Sequence, residues 1–280
     1  MKMLPASLIL LGAACAAQAE EITITQQGLS FNPASVTVSP GDVITWVRTG
    51  GTHDAVHGSG CFRASDDGGI FAGFPYFDLQ LTASNPVATW TVPQAANGRI
   101  PYFCSVGNHC ANGMEAEIIV VPRAGSKVIT IEQNGLLYTP ENAVASPGDT
   151  IVWNHNNGGH SIHTGTNATC TNDDLAIALP LDFAYRQVIW QSPDDQPEGI
   201  VDYFCIFHCE LGHLGTIDIQ APACVAGDFN CDGVINGPDL AILLGAWGGC
   251  DPGLDCPPDL NNDGEVGGPD LAIVLGAWTG

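Results

Sequence analysis

Basic residues are scarce in this sequence. Seven Lys and Arg stand against thirty Asp and Glu, which gives a formal net charge of -23, and no Lys or Arg follows Arg186. Because phosphate repels so acidic a chain, the composition argues against a nucleic-acid partner. The same acidity favours solubility and suits a protein that binds cations.

The sequence also lacks an apolar run long enough to span a bilayer. The short run from Leu4 to Leu11 follows Lys2 and precedes the small-residue segment Ala17-Gln18-Ala19, which is typical of a signal-peptide cleavage site. We therefore predict a signal peptide over residues 1–19 and a secreted, periplasmic or cell-surface protein without a transmembrane segment. In the alternative lipoprotein interpretation Cys15 would be lipidated, but the three residues before it lack the expected leucine.

Long helical patterns are missing from most of the chain, which instead contains 34 Gly and 19 Pro. Apolar residues alternate in short runs such as Ile22 with Ile24 and Val36 with Val38, and Pro-Gly-Asp triplets separate the runs. Alternation of this kind is typical of half-buried strands joined by turns. The sequence predicts an all-β protein built from β-sandwiches, with a small helical module at its end.

An internal duplication sets the predicted domain organisation. Residues 22–53 match residues 129–160, so that Trp46 pairs with Trp153 and His53 with His160. Self-similarity over a whole domain indicates one fold used twice. We expect tandem Greek-key sandwiches over residues 20–122 and 127–221, followed by a module over residues 224–280.

Cysteine, histidine and methionine occur in a fixed order late in the first repeat. Cys104, His109 and Met114 lie on one loop, and His53 follows the strand that contains Trp46. A thiolate, two imidazoles and a weakly bound thioether form a trigonal copper site suited to electron transfer. His57 competes for the role of first histidine, but His53 is preferred because its counterpart His160 keeps the same spacing from the tryptophan.

The segment YFCSVGNHCANGM resembles the cupredoxin family, and its phytocyanin branch in particular. The resemblance covers both repeats. It implies the disulfides Cys61–Cys110 and Cys170–Cys209, which leave Cys104 and Cys205 as thiolates for copper. It also implies one-electron transfer with redox partner proteins.

The second repeat offers a variant of the same donor set: His160, Cys205, His208 and His213. Its shorter spacing between cysteine and histidine resembles plastocyanin. His213 stands where the first repeat has Met114, and an imidazole is a harder ligand than a thioether. We therefore expect the second centre to be greener and lower in potential than the first, so that electrons settle on the first centre. His155 and His163 have no assigned role.

Catalysis by copper is not expected. Multicopper oxidases and copper nitrite reductases need further histidines, typically paired as His-x-His. The chain has eight histidines and no such pair; the nearest approach is the segment from His160 to His163. Electron transfer is therefore preferred, and the alternatives are non-redox copper binding or storage and an extracellular adhesion or scaffold role.

The last part of the chain contains two copies of a calcium-loop pattern. Oxygen ligands are expected at loop positions 1, 3, 5, 7, 9 and 12, with glycine at position 6 and a backbone carbonyl at position 7. The expected ligands are Asp228, Asn230, Asp232, Val234, Asn236 and Asp239 in the first loop, and Asp259, Asn261, Asp263, Glu265 and Asp270 in the second.

An apolar helix is predicted after each calcium loop. We expect the two helices to bury matching faces on each other; these faces are Leu240, Leu243, Leu244 and Trp247, and Leu271, Val274, Leu275 and Trp278. The pair resembles a type I dockerin, an EF-hand-like module, which implies a cohesin-like or cell-surface partner. Gly237-Pro238 and Gly268-Pro269 stand where dockerins commonly carry hydroxyl groups. The tail cysteines Cys224, Cys231, Cys250 and Cys256 allow three pairings.

Overall fold

The computed structural model describes residues 19–64, 71, 74, 76–172, 177–221, 224–231, 233–251 and 256–279. It divides the chain into two compact units, of which the larger is Ala17–Gln220 and the smaller contains Ala221–Gly280. Nearly all of the predicted signal peptide, including Cys15, lies outside the described residues. Within the described ranges, no helix has the length and apolarity needed to cross a membrane.

Short strands make up the first half of the larger unit. They are β1 (Glu21–Gln27), β2 (Ser30–Asn32), β3 (Ser35–Val38), β4 (Val43–Arg48), β5 (His53–Ser59), β6 (Phe62–Arg63), β7 (Asp78–Leu81), β8 (Val87–Thr91), β9 (Ala95–Asn97), β10 (Arg99–Phe103) and β11 (Glu115–Val120). One sheet has the order β2-β1-β4-β8, and the other has the order β3-β11-β10-β5-β6 with β7 paired to β5.

The second half of the larger unit repeats this arrangement. Its strands are β12 (Val128–Asn134), β13 (Leu137–Thr139), β14 (Asn142–Ala145), β15 (Thr150–His155), β16 (His160–Thr166), β17 (Thr171–Asn172), β18 (Ala178–Leu181), β19 (Gln187–Gln191), β20 (Gly199–Phe204) and β21 (Leu214–Ile219). The sheet orders are β13-β12-β15-β19 and β14-β21-β20-β16-β17, with β18 paired to β16. The predicted predominance of β-sheet is confirmed.

The repeated Pro-Gly-Asp triplets form the same turn in both halves. Gly41 and Gly148 have φ values of 93° and 84°, a conformation that glycine adopts without strain. The aspartate that follows each glycine accepts a backbone N–H three residues earlier, at 2.7 Å from Ser39 and 2.8 Å from Ser146. The triplet therefore fixes the entry into β4 and into β15.

Each half encloses an aromatic core. Trp46 and Tyr102 are buried with ring centroids 5.7 Å apart in the first half, and Trp153 and Tyr203 are 5.3 Å apart in the second. Because the apolar residues of the facing sheets meet at these rings, the duplicated tryptophan marks equivalent core positions.

The two halves also share a sheet, which the sequence did not predict. Strand β9 of the first half pairs antiparallel with β19 of the second, so that Ala96 lies opposite Ile189. The fully buried Asn97 donates from Nδ2 to the carbonyls of Pro180 and Gln187, at 2.8 Å and 3.1 Å. The halves are therefore joined by backbone pairing and by a buried amide, and separating them would expose both.

The smaller unit contains two helices and a short strand pair: α1 (Gly237–Gly245), β22 (Gly248–Gly249), β23 (Glu265–Val266) and α2 (Gly268–Gly276). Among the described residues of this unit, the buried apolar side chains that form the core are Ile235, Leu243, Val266 and Val274. Each helix thus contributes one buried apolar residue to this core, and the other two come from the segments before the helices.

The predicted helix-to-helix faces are wrong at four positions. Leu244, Trp247, Leu275 and Trp278 are exposed at 51%, 51%, 52% and 39%. Helices of nine residues are too short for a broad common face, and the preceding loop residues Ile235 and Val266 occupy the interior instead. Apolar spacing on such short helices therefore overestimates what is buried.

Four disulfides occur among the described residues. Cys61–Cys110 and Cys170–Cys209 are present as the family resemblance implied. In the tail, Cys224 pairs with Cys231 and Cys250 with Cys256, one of the three possible arrangements. Cys104 and Cys205 are the described cysteines outside any disulfide, and both are buried.

Candidate metal centres

Strand pairing brings the predicted donors of the first half together. His53 begins β5, and Cys104 directly follows β10, which pairs with β5. A single turn of 3-10 helix at Cys110–Asn112 then separates His109 from Met114. Two strand ends and one tight loop therefore supply all four side chains.

The first donor cluster is compact and almost entirely buried. The Sγ atom of Cys104 lies 3.8 Å from Nδ1 of His53 and 3.3 Å from Nδ1 of His109. Cys104 and Met114 are fully buried, His53 is 4% exposed and His109 is half-buried. The backbone N–H of Cys104 donates to the carbonyl of Met114 at 3.0 Å, which holds the methionine beside the cluster.

The protonation preferences of this cluster suit a soft metal. Burial, followed by the charges of His109 and Arg48, lowers the pKa of His53 and keeps its imidazole neutral. Burial also raises the pKa of the Cys104 thiol, although the N–H groups of Asp54 and Val106 oppose the rise. A bound cation would compensate a thiolate at this position, so the donor set fits copper.

The second half builds the same cluster with one change. The Sγ atom of Cys205 lies 3.8 Å from Nδ1 of His160 and 3.3 Å from Nδ1 of His208. His213 joins them, and the ligand atoms of all four side chains lie within 4.8 Å of one another. The shorter cysteine-to-histidine spacing thus preserves the distances of the first half.

His213 provides the strongest indication of a metal in the second half. It is fully buried, neither ring nitrogen has a hydrogen-bond partner among the described residues, and its ring stacks on Tyr138 at 4.0 Å. Burial, followed by the charges of His160 and His208, lowers its pKa to about 3. A buried polar group without a partner costs about 1–3 kcal/mol, and a metal bond would satisfy one of these nitrogens.

The disulfides anchor the loops that carry the donors. Cys110 and Cys209 directly follow the candidate ligands His109 and His208, and each is bonded to a cysteine in the turn after β5 or β16. These bonds fix the position of the loop on which the half-buried histidine sits. They also leave the two buried thiols unpaired.

Asp54 and Ser161 adjoin the clusters, and the sequence analysis missed both. Each directly follows the first histidine of its repeat. Ser161 donates from Oγ to Sγ of Cys205 at 3.7 Å, whereas Asp54 accepts two hydrogen bonds from Ser105. The duplication contained the signal, because directly after the paired histidines one repeat has a carboxylate and the other a hydroxyl.

The three remaining histidines lie outside the clusters. His155 contacts the carbonyl of Gly158 through Nε2 at 2.7 Å, and His163 contacts Oδ1 of Asn172 through Nδ1 at 3.0 Å. His57 is fully buried between Tyr76 and Tyr185. It is not part of the first cluster, so the choice of His53 over His57 agrees with the geometry.

His57 predicts a pH dependence of stability. In the neutral ring, Nδ1 accepts the backbone N–H of Tyr76 at 3.2 Å. A proton added to Nδ1 would point at this N–H group and break the hydrogen bond. Burial lowers its pKa from 6.5 to about 4. The unfolded chain therefore binds this proton at a higher pH than the folded chain does. As the pH drops from 6.5 to about 4, the free energy of unfolding falls by about 3 kcal/mol in total.

Urea unfolding of metal-free protein checks this expectation. The stability difference between wild type and His57→Phe should shrink by about 3 kcal/mol between neutral pH and the acid end of the interval. Tyr185→Phe, which removes a partner but leaves the imidazole, should keep the wild-type pH dependence. A difference between wild type and His57→Phe that is constant with pH would contradict the assignment.

The tail loops place their carboxylates around matching backbone groups. Asp239 accepts the N–H groups of Phe229, Asn230 and Asn236, and Asp270 accepts those of Leu260, Asn261 and Gly267, at 2.8–3.2 Å. These bonds hold the pKa of Asp270 below its usual range. Both carboxylates are fully buried although the tail has no basic residue.

Several of the other predicted calcium ligands make hydrogen bonds within their own loops. The N–H groups of Gly233 and Gly264 donate to Asp228 and Asp259 at 2.9 Å, and Asn261 contacts Asp263 at 2.8 Å. Asp232 lies outside the described residues. Among those described, no three tail carboxylates approach as closely as the histidine and cysteine donors do. Asparagine and backbone oxygens would complete a calcium shell here.

The first repeat matches a known protein family. Residues 18–121 match the family of copper-binding proteins described as plastocyanin/azurin. The match includes His53, Cys104, His109 and Met114 and ends before the second repeat. No curated protein matches the chain.

Several solved structures align with about a third of the chain. A mutant plastocyanin of fern is 18% identical, covering 35% of this chain and 99% of that one, with a TM-score of 0.29. A purple cupredoxin from Nitrosopumilus maritimus is 20% identical, covering 34% and 100%, with a TM-score of 0.28. A pseudoazurin from Methylobacterium extorquens AM1 is 21% identical, covering 38% and 79%, with a TM-score of 0.27.

Proposed function

We propose that this protein is an exported carrier of single electrons with two copper centres, one in each half of the larger unit. The observation that carries the proposal is the paired clusters, in which a buried cysteine lies 3.3 Å and 3.8 Å from two histidines in both halves. The family match of the first half supports copper there. Because the second half repeats the donor geometry, the proposal extends to His160, Cys205, His208 and His213.

The protein supplies the geometry that electron transfer needs. Copper alternates between two oxidation states with little change of structure when its ligands are held in place. Here strand pairing holds the buried cysteine in place. A disulfide holds the loop that carries the half-buried histidine. The partly exposed His109 and His208 would bring the metals near the surface, where redox partner proteins could dock.

The hydrogen-bonding contacts of the three remaining histidines favour a carrier over an enzyme. His57, His155 and His163 each have hydrogen-bonding contacts of their own. They do not supplement either cluster with the further ligands that an oxygen- or nitrite-reducing centre requires. Non-redox copper binding would also fit the donor set, and reversible reduction of the bound metal distinguishes the two functions.

We further propose that the tail is a dockerin-like, calcium-dependent anchor for a cohesin-like or cell-surface partner. Support comes from the duplicated loops, from exposed apolar side chains of the helices such as Leu244, and from Trp247, which follows α1 and is 51% exposed. The four disulfides and the signal-peptide pattern support an oxidising location outside the cytoplasm.

The second centre can be tested in the full chain. Cys104→Ser removes the thiolate of the first centre and leaves intact the sheet that joins the halves. In this background His213→Met is expected to raise the potential of the remaining copper, because a thioether stabilises the oxidised metal less than an imidazole. Potentiometric titration measures the shift, and His155→Met serves as a histidine control. An unchanged potential would mean that His213 does not bind the metal.

A further inference from the structure

Asp54 and Ser161 occupy equivalent positions but present opposite chemistry to the two cysteines. Each is the second residue of its strand, β5 or β16, directly after the first histidine. Their exposed fractions are 2% and 0%, so solvent screens neither side chain strongly. The comparison is therefore between a buried carboxylate and a buried hydroxyl at matched places.

Ser161 is held so that its hydroxyl hydrogen faces sulfur. Its Oγ accepts the backbone N–H of Ile206 at 3.1 Å and donates to Sγ of Cys205 at 3.7 Å. A hydrogen bond to a thiolate withdraws negative charge from the sulfur, which weakens its donation to copper. Reduced copper, which needs less donation, is then favoured and the potential rises.

The side chain of Asp54 cannot make this contact, although its backbone N–H does hydrogen-bond to Cys104. Its carboxylate accepts the N–H and the hydroxyl of Ser105, at 2.5 Å and 2.6 Å, and a carboxylate has no hydrogen to donate. A negative charge next to the cluster stabilises the more positive oxidised metal, which lowers the potential. Arg63, half-exposed and 4.0 Å from Asp54, offsets this charge only in part.

We propose that Asp54 and Ser161 are tuning residues that bring the potentials of the two copper centres closer together. This inference rests on the proposed function. The axial ligands alone, Met114 and His213, would set the second centre below the first. Asp54 lowers the first centre and Ser161 raises the second, so both contacts oppose the axial difference. Electrons would then pass between the centres, or leave from either, with a small energetic bias.

Single substitutions in the full chain test each contact. The first centre is measured in a Cys205→Ser background and the second in a Cys104→Ser background. Asp54→Asn keeps the acceptor and removes the charge, and Asp54→Ser copies the second repeat. Ser161→Ala removes only the hydroxyl. Matched controls are Asp42→Asn and Ser192→Ala, which alter a buried aspartate and a buried serine elsewhere in the unit.

At a fixed solution potential, Asp54→Asn should increase the ratio of reduced to oxidised copper about tenfold, and Ser161→Ala should decrease it about tenfold. A tenfold change corresponds to about 59 mV for one electron. Ser161→Ala should also move the sulfur-to-copper band to longer wavelength, which a purely structural role would not do. The two control variants should leave potentials and spectra unchanged.

The outcomes separate this inference from the function on which it rests. Reversible copper reduction in the wild type, with potentials that do not move in Asp54→Asn, Asp54→Ser and Ser161→Ala, would overturn the tuning role and leave the carrier function standing. Shifts of equal size in the control variants would overturn it as well. If neither half binds copper reversibly, the carrier function and the tuning role fail together.

Discussion

Replacing Cys104 with serine is expected to abolish the intense blue absorption of the first centre completely. The band arises from charge transfer between a thiolate sulfur and oxidised copper, and a serine hydroxyl cannot supply that sulfur. The substitution removes one buried atom whose partners are His53 and His109, 3.8 Å and 3.3 Å away. Visible absorption of the copper-loaded variant measures the loss.

Cys205→Ser is the matched control because it removes the equivalent sulfur of the second half. It should leave the first band intact while eliminating the contribution of the second centre. The double variant should have no intense band. A Cys104→Ser protein that retained the first band would show that another sulfur binds the metal.

Removing calcium is expected to unfold the tail while leaving the larger unit folded. The tail buries Asp228, Asp239 and Asp270 and has no Lys or Arg to compensate them. Among the described residues its core has four buried apolar side chains, with six partly buried ones packed against them, so apolar burial contributes little folding free energy. Calcium binding would therefore supply much of the folding free energy of this unit.

Circular dichroism measures this effect well because, in the part of the chain that the structure describes, both α-helices belong to the tail. A chelator should remove most of the helical signal, and urea unfolding of the β-sheet unit should be unchanged. Asp239→Asn and Asp270→Asn should each require at least about tenfold more calcium to restore the signal. An identical spectrum with and without chelator would contradict the calcium assignment.

The sequence predicted what depends on local pattern and on repetition. The side chains that the structure brings together could be predicted because Cys104 and Cys205 directly follow matching strands and because His53 and His160 keep their distance from a tryptophan. The Pro-Gly-Asp turns followed from the same repetition, since the conformation of Gly41 and the hydrogen bonds of Asp42 are local.

Contacts between distant segments were not predictable from pattern. Strand β9 joins a sheet of the other half through Ala96 opposite Ile189, and no periodicity in three residues marks that pairing. In the tail, apolar spacing placed Leu244 and Trp247 inside, whereas both are exposed and Ile235 and Val266, which precede the helices, complete the small core. Burial there depends on which segments pack together, and spacing along a helix does not contain that information.

The shared sheet also changes how the two centres should be studied. Expressing the halves separately would leave β19 without its partner β9 and Asn97 without the carbonyls it contacts. Silencing one cysteine at a time in the intact chain keeps these contacts. Potentials measured in this way report the ligands and their neighbours and not a damaged interface.

The most direct test of the central claim is a combined copper analysis and redox titration of the reconstituted full-length chain. We expect two copper ions per chain, each reduced and reoxidised reversibly by one electron, with one of these redox steps lost in Cys104→Ser and the other in Cys205→Ser. Redox steps that do not depend on these cysteines, or bound copper that cannot be cycled between oxidation states, would contradict the proposed function.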